Sequence, residues 1–144
     1  MAEKVLVVDD EAQIRNLLNS LLTKEGYEVI VASNGEEALV LAEKENPQVV
    51  LLDIKMPGID GKEVCKRLKA GENTCYIPVI MITGYEQEKM DAVRAGADDF
   101  VHKPFDMVEI STRVKSILRI RHLTDELDRT VAYIEELEKN LPKP

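Results

Sequence analysis

Five short apolar runs rich in Val, Ile and Leu recur along the chain, and an amphipathic stretch follows each. Such an alternation predicts a doubly wound α/β fold, a parallel sheet with helices on both faces. Lys4–Val8, Glu28–Ala32 and residues 49–52, 79–82 and 100–102 are the predicted strands. Most lack polar alternation, as strands covered on both sides do.

The stretches between them carry helix signals. Helix 1 places Ile14, Leu17, Leu18, Leu21 and Leu22 on one face, and Gly26 is its C-terminal stop. Helix 2 follows Ser33-Asn34-Gly35 and carries Ala38, Leu39 and Ala42. Helix 3 opens on Asp60 as N-cap with Glu63 three places on, then buries Val64 and Leu68. Helix 4 spans residues 86–95 and ends at Gly96, and helix 5 begins near Asp106, with Glu109 three places on. No Gly or Pro interrupts the chain between Phe105 and Leu141, room for a helix of about 50 Å at ~1.5 Å per residue. Its second half changes pattern: Ile120, Leu123, Leu127, Thr130, Ile134, Leu137 and Leu141 alternate spacings of three and four, a heptad seam. The expectation is a domain over residues 1–120 and a helical extension over residues 121–144. That extension is read as a coiled-coil linker forming a weak parallel homodimer, the alternative being a tail helix packed on its own domain.

At 144 residues there is room for one packed domain and an appendage. No apolar run approaches membrane-spanning length. The opening MAEKVLVVDD is no signal peptide, because its apolar stretch runs straight into two aspartates, so a cytoplasmic location is expected. Cys65 and Cys75 match no zinc or redox spacing and read as reduced core or surface residues. A net charge of −8 repels phosphate backbones, which argues against direct nucleic-acid binding.

In such sheets ligands bind beyond the carboxyl ends of the strands, where the winding reverses. Strand 1 delivers Asp9 and Asp10 to that edge, strand 3 delivers Asp53, strand 4 delivers Thr83, and strand 5 delivers Lys103 before Pro104. If strands 1 and 3 are neighbours, three carboxylates meet, and each raises the others' pKa unless a cation compensates them. Mg²⁺, or Mn²⁺, suits carboxylates, a backbone carbonyl and waters, and Lys103 adds a fixed charge. Singly, each residue has a plainer reading: Asp9 or Asp10 as the cap of helix 1, Asp53 as a turn residue before Lys55-Met56-Pro57-Gly58, Thr83 as a strand end, Lys103 as a surface lysine. The combination is far more specific than its parts.

The segments Val7-Val8-Asp9-Asp10, Leu51-Leu52-Asp53-Ile54-Lys55-Met56-Pro57-Gly58-Ile59-Asp60-Gly61, Ile82-Thr83-Gly84, Gly96-Ala97-Asp98-Asp99-Phe100 and Lys103-Pro104-Phe105 together resemble the response-regulator receiver family of bacterial two-component systems. The resemblance covers about residues 3–120. It implies a flavodoxin-like strand order 2-1-3-4-5, with Asp53 accepting a phosphoryl group from a sensor histidine kinase. It also implies Mg²⁺ ligation by Asp10 and Asp53, by the Lys55 backbone carbonyl and, largely through water, by Asp9. Lys103 would stabilise the phosphoryl oxygens, Thr83 would bind the phosphoryl group, and Phe100 would move with Thr83 as the switch aromatic. A cis Lys103–Pro104 bond is expected on the same ground. Two departures from common relatives stand out. Phe100 stands where many have tyrosine, and the bulky Lys55 and Tyr85 flank the phosphoryl site, where they are expected to slow hydrolysis. The extension resembles linkers that precede enzymatic output domains, so the chain is expected to be a receiver plus linker, the alternative being a stand-alone protein that acts through a partner, with kinase, signal and output left open.

Three other functions fit less well. A haloacid-dehalogenase-like phosphatase wants Asp-x-Asp after strand 1, whereas Asp9-Asp10 is followed by Glu11-Ala12. A flavodoxin-like carrier wants a hydroxyl- and Gly-rich loop there, and this acidic loop would repel a flavin phosphate. A docking scaffold without phosphorylation chemistry would not need the full set of acceptor residues.

Overall fold

The computed structural model describes residues 2–84 and 86–141. Five strands, β1 (Lys4–Val8), β2 (Glu28–Ala32), β3 (Val49–Asp53), β4 (Val79–Thr83) and β5 (Asp99–His102), form one parallel sheet in the order β2-β1-β3-β4-β5. They alternate with α1 (Ala12–Lys24), α2 (Gly35–Glu45), α3 (Gly61–Ala70), α4 (Glu86–Arg94) and α5 (Met107–Lys139). The expected order 2-1-3-4-5 and the doubly wound class are observed.

Both faces of the sheet are covered, which is why the strands read as unbroken apolar runs. Leu6, Val8, Val50, Leu52 and Met81 pack with Ala38, Ala42, Val64, Leu68 and Ala92 of α2, α3 and α4. Val5, Val7, Val49, Leu51, Ile80 and Ile82 pack on the other side with Leu18, Leu22, Ile110 and Val114 of α1 and α5.

The helix starts behave as read. Asp60 and Asp106 accept from the backbone N–H groups of Glu63 and Glu109 at 3.0 and 2.7 Å. Gly26 and Gly96 follow their helices in the left-handed region. Two details differ. Helix α2 starts at Gly35 itself, on Asn34, whose side chain accepts from Glu37 N–H at 2.8 Å. Leu17 is 44% exposed, because it lies roughly 100–140° around α1 from Leu18 and Leu22 at ~3.6 residues per turn.

Helix α5 runs 33 residues without a break. Its first half is held by Ile110, Val114, Ile117 and Leu118, and Arg121 donates to the Gln48 carbonyl at 2.8 Å. Every described residue after Arg121 is exposed, so residues 122–141 bury no side chain against the domain. No helix among the described residues is long and apolar enough to cross a membrane.

Candidate functional site

Parallel pairing of β1 with β3 (Val8 beside Leu52) and of β3 with β4 (Asp53 beside Ile82) brings three strand ends to one edge. There Asp9, Asp10 and Asp53 each present a carboxylate oxygen, all within 4.8 Å of one another. Asp9 and Asp53 are buried, and Asp10 is exposed. Neither Asp9 nor Asp10 caps α1; Glu11 occupies that position. The Asp9 carboxylate instead accepts from Glu11 N–H at 2.9 Å, and Arg15 holds the Asp9 backbone carbonyl at 2.7 Å.

Asp53 is placed from below. A Cβ at residue 61 would strike the Asp53 carbonyl oxygen, so the start of α3 passes close to the end of β3 only as glycine, and Gly61 N–H bonds the Ile54 carbonyl at 2.8 Å. Lys103 follows β5 through a backbone bond to Thr83 at 2.7 Å, and its peptide bond to Pro104 is cis as expected. Its ammonium lies 3.2 Å from Asp53 and 4.0 Å from Asp9.

The electrostatics follow from this crowding. Burial, with help from the neighbouring Asp9 charge, pushes the Asp53 carboxyl up to about 6 despite Lys103. Burial also raises Asp9. Burial would lower Lys103, but Asp53 and Asp9 outweigh it and raise the ammonium, which keeps its charge. One lysine does not compensate three acids. Among the described residues, Asp9 Oδ2 is a buried oxygen with no hydrogen-bond partner. A cluster of hard oxygen donors with an orphaned buried oxygen fits a divalent cation, and the triad can hold one.

Thr83 is fully buried at the end of β4, beside His102 in the β4–β5 register. Phe100 is half-buried against the α2–α4 side of the core, with the Lys89 ammonium 4.6 Å from its ring centroid. Lys55 points its exposed side chain to Glu88 at 3.4 Å, while Tyr85 lies outside the described residues. Sequence reading missed two neighbours. Glu88 joins Lys55 to the Gly84 N–H, which it accepts at 2.9 Å. His102 sets its Nδ1 3.4 Å from the Thr83 hydroxyl. Pairing strand ends β4 and β5 in register would have pointed to His102; nothing local marks Glu88.

Residues 5–115 match the profile of the response regulator receiver domain. The chain belongs to the response-regulator receiver family. This receiver is 48% identical over 119 residues to the probable transcriptional regulator ycf27 of Porphyra purpurea, a match covering 81% of the chain and 48% of that protein. It is 43% identical over 130 residues to the response regulator PleD of Caulobacter vibrioides, covering 88% of the chain and 28% of PleD. A solved response regulator from Chloroflexus aurantiacus matches at a TM-score of 0.79 and 37% identity, over 83% of this chain and 99% of that one. The receiver spans about half or less of the length of these curated relatives. It is a phosphoacceptor signalling module of a two-component response regulator, and its acidic cluster is of the type such modules carry.

Proposed function

We propose that Asp53 is the phosphoacceptor, taking its phosphoryl group from the phosphohistidine of a sensor histidine kinase. The observation that carries this is the Lys103 ammonium 3.2 Å from a buried Asp53 within the acidic cluster. The Asp53 carboxylate attacks phosphorus in line, an O–P bond forms as the N–P bond breaks, and the electron pair stays on the departing imidazole. Lys103 offsets charge on the phosphoryl oxygens, and Thr83 donates its hydroxyl to the group once it is on Asp53. Asp10 and Asp53, the Lys55 carbonyl and Asp9 through water would hold Mg²⁺ or Mn²⁺. When bound, the ion neutralises the carboxylates and draws charge from the phosphoryl oxygens. Phe100 follows Thr83 inward and changes the surface of α4, β5 and α5. A wild-type chain treated with acetyl phosphate and Mg²⁺ should gain the mass of one phosphoryl group, and Asp53→Asn should gain none. Undiminished labelling of the variant would remove Asp53 from this role.

The same reading makes residues 1–120 a cytoplasmic receiver and residues 121–144 a linker toward an output domain or effector. Ile120, Leu123, Leu127, Ile134, Leu137 and Leu141 are 48–64% exposed, an apolar stripe down a lone helix. The stripe lies roughly 150° around α5 from the sheet-facing Ile110, Val114, Ile117 and Leu118 at ~100° per residue. In a parallel pair the two receivers would therefore sit on the outer sides of the coil without collision. Each buried Leu or Ile contributes roughly 1.5–3 kcal/mol, against the entropy of association. Thr130 turns its hydroxyl to the Glu126 carbonyl at 3.0 Å and adds little to the seam, so the dimer is weak. Sedimentation equilibrium should show self-association of the full chain and none for a truncation after Arg119. Monomers of both at high micromolar concentration, phosphorylated or not, would contradict the pairing.

A further inference from the structure

We propose that His102 is a positioning residue that latches the Thr83 hydroxyl before phosphorylation. The inference rests on the reading of Thr83 as the phosphoryl-binding hydroxyl. Thr83 and His102 are register partners at the carboxyl ends of β4 and β5, and Thr83 Oγ1 lies 3.4 Å from His102 Nδ1. Thr83 is fully buried, so its hydroxyl has few places to turn. A hydroxyl has a single hydrogen to donate, and a neutral imidazole protonated at Nε2 offers Nδ1 as an acceptor. A phosphoryl oxygen on Asp53 needs that same hydrogen. The two acceptors compete for it, and the hydroxyl leaves His102 when it engages the phosphoryl group.

The latch has a second connection. His102 and Phe100 are two residues apart on β5 and so share one face of the sheet. Their rings meet edge-on, 6.2 Å between centroids at 75°, and the Lys89 ammonium of α4 sits over the Phe100 ring. Phe100 has no hydroxyl of its own, so His102 is the polar group of this face of β5 that touches the switch threonine. Release of Thr83 frees an imidazole that packs against the switch aromatic.

The test measures the phosphorylation rate of the full chain with acetyl phosphate and Mg²⁺. His102→Val, which keeps a strand-compatible side chain and removes the acceptor, should raise the rate about three- to tenfold, the ratio one net hydrogen bond sets in an equilibrium. His102→Asn, which restores an acceptor near the Nδ1 position, should return it to the wild-type value. In a Thr83→Val background, His102→Val should change nothing further. Nitrogen NMR of the wild-type imidazole gives an independent readout: the Nε2–H tautomer before phosphorylation and a shifted Nδ1 resonance after it. An effect of His102→Val that persists without the Thr83 hydroxyl overturns the latch alone, as does an Nδ1–H tautomer in the unphosphorylated chain. If Thr83→Val accepts and keeps the phosphoryl group like wild type, the latch and the reading beneath it both fall.

Discussion

Replacing Lys103 with alanine is expected to slow phosphorylation by about 10²–10³-fold, the usual consequence of removing one aimed donor from a site of developing charge. The Lys103 ammonium stands 3.2 Å from Asp53 and 4.0 Å from Asp9, with its side chain largely shielded from water. Its loss acts twice. The phosphoryl oxygens lose a fixed positive charge, and Asp53, already pushed up to about 6, loses a group that lowers it. More of the Asp53 carboxyl then stays protonated at neutral pH. Lys103→Arg should recover only part of the rate, because a planar guanidinium cannot replace a compact ammonium in this space. Stopped-flow or quench measurement at saturating donor and Mg²⁺ checks both variants, and a fall of less than about tenfold for Lys103→Ala would place the lysine outside the chemistry.

The second large effect is on stability without metal, and its sign is opposite to most core substitutions. Asp53 has an ordinary pKa of 3.8 and holds its proton to about 6 in the fold. Below the lower value both folded and unfolded chains are protonated there, and no penalty exists. As pH rises from about 4 to 6 the unfolded state ionises first and stability falls. At ~1.36 kcal/mol per pKa unit the difference is on the order of 3 kcal/mol at pH 7. Asp9 is raised in the same direction and adds to the slope. Asp53→Asn removes the Asp53 share and should raise the melting temperature of the metal-free chain by roughly 5–10 °C at pH 7, with little change at pH 4. Saturating Mg²⁺ should stabilise the wild type and narrow that gap. Thermal melts at both pH values, with and without Mg²⁺, check this. A destabilised Asp53→Asn at pH 7 would show that the acidic cluster stores no such repulsion.

The strands were legible because burial on both faces leaves no polar residue to break Val49, Val50, Leu51 and Leu52 or Val79, Ile80, Met81 and Ile82. The starts of α3 and α5 were legible from Asp60 and Asp106, since a cap is a local bond within three residues. Asp9, Asp10, Asp53, Thr83 and Lys103 could be placed together from sequence because each lies at a strand end, and parallel strands bring those ends to one edge. Contacts made across elements left no such trace. The Thr83–His102 approach depends on the register of β5, and the Lys55–Glu88 pair depends on how α4 sits over the loop after β3. Leu17 was misplaced because four of its helix neighbours are also apolar, so the pattern could not centre the buried stripe.

The residue that carries the phosphoryl group can be identified directly. An aspartyl phosphate is an acyl phosphate, and borohydride reduces it to homoserine, which survives digestion and mass spectrometry. The full chain, phosphorylated by acetyl phosphate with Mg²⁺ and then reduced, should carry homoserine in place of Asp53 and nowhere else. Homoserine at Asp9 or Asp10, or a labelled chain with Asp53 unchanged, would contradict it.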